Sequence, residues 1–258
     1  MSGRIEERFA WLRGQGKKAF IPYIMTGDPN LRRTEQLIRL LEDSGADIIE
    51  LGVPFSDPLA DGPTIQRAAE RALARGTSLS AVIRLVSRVR RKVRTPIVLM
   101  TYYNPVFVYG ESRFVANATD AGVDGVIIPD LPPDEAGSLI RESRHKGLDT
   151  IFLLAPTSTE DRMRIVCEKS RGFVYFVSLL GITGSALSLS PGLKAMIRKA
   201  RMTGGKPVCV GFGISTPEDA RAVSRFADGV IVGSAIVRAL NEDPGRVVRL
   251  LAALREAI

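Results

Sequence analysis

Eight times along the chain, a short apolar run is followed by a loop rich in Gly, Pro, Asp and Ser and then by an amphipathic stretch rich in Arg, Glu, Ala and Leu. Each run has the length of one strand and is almost continuously apolar, which is typical of parallel strands buried on both faces. The pattern therefore predicts strands and helices that alternate around a parallel sheet. The eight runs are AFIPYIM (19–25), ADIIELGV (46–53), TPIVLMTY (95–102), GVDGVIIP (122–129), LDTIFLLAP (148–156), GFVYFVS (172–178), KPVCVGF (206–212) and ADGVIVGS (227–234).

The number of units and the chain length favour the closed form of such a sheet. Eight strand–helix units in 258 residues, with no Pro/Ser/Gly-rich linker between them, predict one α/β domain over residues 1–258, a single (β/α)8 TIM barrel. An open doubly wound sheet is the alternative, and the absence of a dinucleotide fingerprint disfavours it. The segment MSGRIEERFAWLRGQGKK predicts an additional N-terminal helix and lacks the apolar core of a signal peptide.

Composition argues against several classes of partner. The net charge is +8, but the basic residues alternate with apolar ones at helical spacing, as on a solvated helix face, and aromatic residues make up only 6%. Nucleic-acid binding is therefore not predicted, whereas an anionic small substrate would benefit from the charge. No apolar run approaches the roughly 18 residues of a membrane span, so the prediction is a cytoplasmic protein that does not bind membranes.

Residues suited to metal ligation or to a catalytic triad are few. Cys167 and Cys209 have no second cysteine or histidine at ligand spacing, so neither a metal site nor a disulfide framework is predicted. The only histidine, His145, lies beside a basic residue in a predicted helix, which is typical of a solvated helix end. Chemistry in this chain must therefore come from other side chains.

Three carboxylates, Glu50, Asp57 and Asp61, lie within the apolar and proline-rich segment ELGVPFSDPLADGP (50–63). A barrel of this kind has its active site at the carboxyl ends of the strands. If Ile48 faces the interior, strand alternation turns Glu50 inward at the mouth, beneath the loop that holds Asp61. One acid in an apolar setting and a second in a wetter loop suit acid–base catalysis. The structural alternative is a salt bridge from the glutamate and Asx turns beside the prolines.

Glycine-rich turns predict a phosphate site at the same end of the barrel. GFGIS (211–215) ends the seventh strand, and VGSAIV (232–237) ends the eighth and opens a short helix, which are the usual positions of phosphate sites in these barrels. GITG (181–184), in a long loop over residues 179–191, offers a third wall. The alternative is that these glycines serve only tight turns. The predicted substrate-binding residues here are Gly184, Gly213, Gly233 and Ser234.

ELGVPFSDPLADGPTIQ (50–66), together with PYIMTGDP (22–29), GFGIS and GSAIV (233–237), closely resembles the alpha subunit of tryptophan synthase, and the resemblance extends along essentially the whole chain. It implies a carbon–carbon lyase of tryptophan biosynthesis. The implied reaction is retro-aldol cleavage of indole-3-glycerol phosphate to indole and D-glyceraldehyde 3-phosphate.

The resemblance also implies roles for individual residues. Glu50 would transfer the proton to C3 of the indole ring, and Asp61 would accept the indole N–H. Tyr175 matches an active-site tyrosine of the family, and Phe20 and Leu99 would flank the indole as apolar walls. No metal or cofactor is expected in this chain.

A partner is implied as well, a tryptophan synthase beta subunit that carries pyridoxal phosphate, in an α2β2 heterotetramer. Pro54, Asp57 and Asn104 would contact it. The chain departs from many relatives in having no charged residue over 177–193, which leaves closure of that loop open. A stand-alone indole-3-glycerol-phosphate lyase remains an alternative, as do another phosphosugar enzyme and a basic binding protein.

Overall fold

The computed structural model describes residues 3–177, 191–211 and 213–258. Within these ranges, nine parallel strands form one sheet in the order β5-β4-β3-β2-β1-β9-β8-β7-β6. All eight predicted apolar runs contain a strand, so the predicted TIM barrel is confirmed. The strands are β1 (Ala19–Met25), β2 (Ile49–Gly52), β3 (Ile97–Met100), β4 (Gly125–Ile127), β5 (Asp149–Ile151), β6 (Leu153–Leu154), β7 (Val174–Val177), β8 (Val208–Gly211) and β9 (Gly229–Val232).

The ninth strand arises because one predicted strand is split in two. β5 and β6 are separated only by Phe152, and β5 pairs with β4 while β6 pairs with β7. The carbonyl of Phe152 accepts a hydrogen bond from the Tyr175 N–H at 3.1 Å, so the interruption belongs to the same ladder. The two ends of the strand order therefore meet in a single chain segment, and the barrel closes there.

Helices surround the sheet. The predicted N-terminal helix is present as α1, and α2 starts at Leu31, where the Asn30 side chain accepts the Arg33 N–H. α7 begins at Gly137, after a turn formed by residues 132–136. The described helices are α1 (Arg4–Gly14), α2 (Leu31–Asp43), α3 (Pro63–Ala74), α4 (Leu79–Val89), α5 (Tyr103–Tyr109), α6 (Glu111–Ala121), α7 (Gly137–Lys146), α8 (Glu160–Lys169), α9 (Pro191–Gly204), α10 (Pro217–Ser224), α11 (Ser234–Glu242) and α12 (Pro244–Ala257).

Strand alternation divides the buried residues into two layers. In β1, Ile21, Tyr23 and Met25 belong to the cluster inside the barrel, whereas Phe20 and Ile24 belong to the cluster between the strands and the helices. The same division applies along the other strands because successive side chains point to opposite faces of a sheet. It decides which side chains reach the mouth of the barrel.

The amino-terminal end of the barrel is closed by ion pairs. The buried Asp47 receives hydrogen bonds from Arg8 of α1 at 2.9 Å and from Arg255 of α12 at 2.7 Å. Its second oxygen also accepts the Phe20 N–H at 2.7 Å. The first and last helices are thus joined at one carboxylate, which supports a structural role for this end of the barrel. No helix within the described ranges has the length and apolar character that a membrane crossing requires.

Candidate active site

A cavity of about 150 Å³ opens at the carboxyl ends of the strands, where the sequence predicts the active site. It is lined by the two acidic residues assigned to catalysis, by the predicted tyrosine and by two of the three predicted glycine-rich turns. The lining residues are Tyr23, Glu50, Asp61, Ile65, Met100, Tyr175, Gly213, Ile214, Ser215, Ile231, Gly233, Ser234 and Arg238.

Glu50 reaches this cavity because of its place in β2. Ile48 faces the barrel interior and Leu51 faces the helices, so Glu50 points inward, as predicted. The residue is only 1% exposed, and neither carboxylate oxygen has a hydrogen-bond partner among the described residues. A buried carboxylate without partners is costly in its charged form, which favours a neutral acid that retains its proton.

Asp61 is held over the same cavity by the loop between β2 and α3. The Tyr102 hydroxyl accepts the Ala60 N–H at 2.9 Å, and the Gln66 side-chain amide donates to the Asp61 carbonyl at 2.9 Å. The Phe55 ring lies on the Tyr102 ring with centroids 5.4 Å apart. These contacts fix the loop on both sides of the carboxylate, so Asp61 is positioned by its neighbours in sequence and by the end of β3.

The two carboxyl groups titrate differently. Burial, with a smaller contribution from the nearby Asp61, raises the pKa of Glu50 to about 8. Burial also raises the pKa of Asp61, to about 6, and hydrogen bonding from the Tyr102 hydroxyl opposes part of that rise. Between these values the pair holds one proton, and Glu50 carries it. A neutral acid therefore faces a fixed anion across one cavity, which is a sound arrangement for general acid catalysis.

Backbone groups form the opposite end of the cavity. Gly213 has φ of 75°, a left-handed conformation that favours glycine, and α11 begins at Ser234 without a side-chain cap from Gly233. By contrast, α10 has its first N–H groups satisfied by a capping box of Thr216 and Asp219. The uncapped start of α11 at the cavity is a suitable phosphate-binding site, because unpaired N–H groups and the helix dipole both favour an anion.

A cation that the sequence analysis missed lies beside this helix start. Arg238 follows Ser234 by about one turn of α11, lines the cavity and has an exposed side chain. Within the described residues it forms no hydrogen bond or ion pair. The signal was available in the sequence, since position 238 follows the predicted phosphate turn by one helical turn.

Comparison with known proteins shows the family to which the chain belongs. The family model for the tryptophan synthase alpha chain matches residues 9–257. The tryptophan synthase alpha chain of Geobacter sulfurreducens is 51% identical over 260 residues, which is 99% of this chain and 98% of that relative. The chain belongs to the tryptophan synthase alpha chain family. Its activity is that of the family: a lyase that cleaves indole-3-glycerol phosphate in tryptophan biosynthesis.

Solved structures agree with this assignment. The crystal structure of tryptophan synthase subunit alpha from Legionella pneumophila superposes with a TM-score of 0.91 at 40% identity, covering 100% of this chain and 99% of that one. A chain of Mycobacterium tuberculosis tryptophan synthase gives a TM-score of 0.94 at 39% identity, with the same coverage. Membership of the family implies a beta-subunit partner, and the alpha chain is known as the subunit without a cofactor.

Two of the predicted indole walls require correction. Phe20 and Leu99 are fully buried in the layer between strands and helices, and neither lines the cavity. The cavity is lined instead by Met100, one residue after Leu99, and by Tyr23, three residues after Phe20. The error is one of strand parity, because a shift of one residue moves a side chain to the other face of the sheet. The apolar part of the cavity also includes Ile65 and Ile231 from outside these strands.

The remaining predicted residues fall into three groups. Tyr175 lines the cavity from β7, whereas Gly184 lies outside the described residues. Of the predicted partner contacts, Asp57 and Asn104 are exposed, but Pro54 is buried within this chain and offers little surface to a partner. The described residues contain no group of His, Cys, Asp and Glu side chains able to hold a metal ion, and both cysteines are buried.

Proposed function

We propose that Glu50 is the proton-transfer residue and Asp61 the fixed anion in the cleavage of indole-3-glycerol phosphate. The observation that carries this proposal is the pair itself: a buried carboxyl group without a partner among the described residues, facing the same cavity as a second carboxylate. Their raised and unequal pKa values support the division of roles, since the group with the higher pKa holds the proton at neutral pH.

The reaction then needs only these two groups and the substrate. Glu50 gives its proton to C3 of the indole ring, and the Asp61 carboxylate accepts the indole N–H as positive charge develops on the nitrogen. The bond from C3 to the side chain breaks, and its electron pair returns to the ring to neutralise that charge. The Glu50 carboxylate takes the proton of the side-chain hydroxyl as the aldehyde forms, so Glu50 ends the cycle protonated.

At the other end of the cavity, the phosphate is proposed to lie on backbone N–H groups of Gly213, Gly233 and Ser234. The uncapped start of α11 and the left-handed Gly213 support this placement. Arg238 adds a cation at the rim of the same cavity. Gly184 remains a predicted contact from the family resemblance.

The proposal for the assembly is an α2β2 heterotetramer in the cytoplasm, with pyridoxal phosphate only in the beta subunit and no cofactor in this chain. Exposed apolar side chains near the predicted contacts support an interface on this face of the barrel. Leu59 is 89% exposed in the loop that carries Asp57, and Phe107 and Val108 of α5 are 65% and 74% exposed, close to Asn104. Apolar surface of this kind is typical of an interaction site.

An indole-release assay with and without added beta subunit tests reaction and partnership together. Glu50→Gln is expected to lower indole release by at least about 10²-fold while indolepropanol phosphate still binds, because the amide keeps the shape but cannot supply the proton. Asp43→Asn, the same carboxylate-to-amide change at an exposed residue at the end of α2, is expected to retain turnover. Unchanged release by Glu50→Gln would reject the proposal, and release that is insensitive to the beta subunit would favour the stand-alone lyase.

A further inference from the structure

Tyr23 is a polar residue of the cavity that the proposed reaction does not use. It lies on β1 with its Cα opposite that of Glu50 on β2, and its side chain points into the barrel. A Cβ built on Gly52 would lie 2.1 Å from the Tyr23 hydroxyl oxygen, so the phenol crosses the neighbouring strand at its last residue. The hydroxyl therefore lies where β2 ends and the loop that carries Asp61 begins.

The Tyr23 ring also touches the phosphate end of the cavity. A Cβ built on Gly233 would lie 3.4 Å from a ring carbon of Tyr23, so the side chain spans from the start of α11 to the end of β2. A ligand with its phosphate on α11 and its ring between the two carboxylates would pass directly over this tyrosine. Tyr23 is only 6% exposed, and it lines the cavity.

The Tyr23 hydroxyl is an unused donor in an acidic setting. Among the described residues no hydrogen bond engages it. After burial, the charge that most raises its pKa is that of Asp61, followed by that of Glu50, so the phenol stays protonated and the aspartate is its dominant charged neighbour. Asp61 has a second phenol on its other side, because the Tyr102 hydroxyl holds the adjacent Ala60 N–H and also interacts with the carboxylate.

We propose that Tyr23 is a positioning residue for Asp61: its hydroxyl donates a hydrogen bond to the carboxylate oxygen that the indole N–H does not use. This inference rests on the proposed function and adds to it a reason why Asp61 stays ionised while Glu50 beside it stays neutral. The titratable and charged groups that face Asp61 from the surrounding elements are Tyr23, Glu50, Tyr102, Tyr175 and Arg238.

The pH dependence of indole release by the assembled enzyme tests this role. In the wild type, activity requires ionised Asp61 and protonated Glu50, so kcat/KM should rise through an acid limb set by Asp61 and fall through an alkaline limb near the pKa of Glu50, about 8. Tyr23→Phe removes only the hydroxyl. Loss of a hydrogen bond to a charged group is expected to move the acid limb up by about one pH unit and to lower kcat/KM by about tenfold at pH values well below that limb.

Two control variants and one titration separate the possible outcomes. Tyr109→Phe removes a hydroxyl that is bonded to Asn117 and does not line the cavity, so it should leave both limbs in place. An unmoved acid limb in Tyr23→Phe, or a moved alkaline limb instead, would overturn the assignment to Asp61. Turnover that survives Asp61→Asn would reject the proposed function itself, whereas an inactive Asp61→Asn with an unshifted Tyr23→Phe would reject only this inference. A carbon-13 titration of the Asp61 carboxyl group in Tyr23→Phe gives the same shift without turnover.

Discussion

Replacing Glu50 by glutamine should stabilise the fold relative to the wild type, by an amount that grows as the pH rises, although it removes the proposed acid. The folded-state pKa of Glu50 is about 8, against 4.5 for the ordinary side chain, so the folded protein keeps a proton that the unfolded chain has released. The free energy of unfolding of the wild type must therefore fall as pH rises from about 4.5 to about 8. At about 1.36 kcal/mol per pH unit, the full effect is about 5 kcal/mol.

Most of this effect falls inside an accessible pH range. Glutamine is neutral at every pH, so the difference in unfolding free energy between Glu50→Gln and wild type should grow by about 4 kcal/mol from pH 5 to pH 9, with more than half of the growth complete by pH 7. Effects of the ionisable groups that do not interact with Glu50 are common to both proteins and cancel in the difference.

Urea unfolding followed by far-UV circular dichroism at pH 5, 7 and 9 measures this difference directly. Asp57→Asn, which neutralises an exposed carboxylate nearby, is the matched control and should change stability by less than about 0.5 kcal/mol. A difference between Glu50→Gln and wild type that is the same at pH 5 and pH 9 would refute the reasoning, because it would mean that Glu50 is already ionised in the folded protein.

Two further substitutions test the phosphate end of the cavity and the packing of Tyr23 against β2. Arg238→Gln should raise KM for indole-3-glycerol phosphate about tenfold with kcat nearly unchanged, since it removes a cation from the proposed phosphate seat; equal KM values in initial-rate assays at low salt would contradict that role. Gly52→Ala should destabilise the fold by about 1–3 kcal/mol in urea unfolding, because the new methyl group would lie 2.1 Å from the Tyr23 hydroxyl; Gly14→Ala, whose methyl group would meet nothing within 4 Å, is the sterically open comparison.

The barrel was predictable because its sequence pattern, an apolar run followed by a loop and an amphipathic stretch, occurs eight times. Each of the eight apolar runs contains a strand, and AFIPYIM is β1 without any change of boundary. The interruption at Phe152 was not predictable, since LDTIFLLAP is apolar throughout and only the pairing of its two halves with β4 and β7 reveals the break. Helix starts were predictable where a cap such as Asn30 precedes them, and less so at 132–136, where two prolines precede a turn.

The site was predictable where chemistry and strand parity could be followed from one residue. Glu50 follows Ile48 by two positions in the predicted run 46–53, so its inward direction followed from alternation. Phe20 and Leu99 were placed by resemblance alone, and parity with Tyr23 or Met100 would have corrected both. The contact between the Tyr102 hydroxyl and the Ala60 N–H was not predictable, because it joins residues 42 positions apart and no local sequence pattern indicates it.

The carboxylate of Asp47 has a consequence for how this chain is made. Its two arginine partners lie far apart in the chain, Arg8 in α1 and Arg255 in α12. During synthesis the aspartate leaves the ribosome about two hundred residues before the later arginine does. The nascent chain therefore cannot pair this buried charge fully until α12 has been made, after every described strand, which makes closure of this end of the barrel a late step of folding.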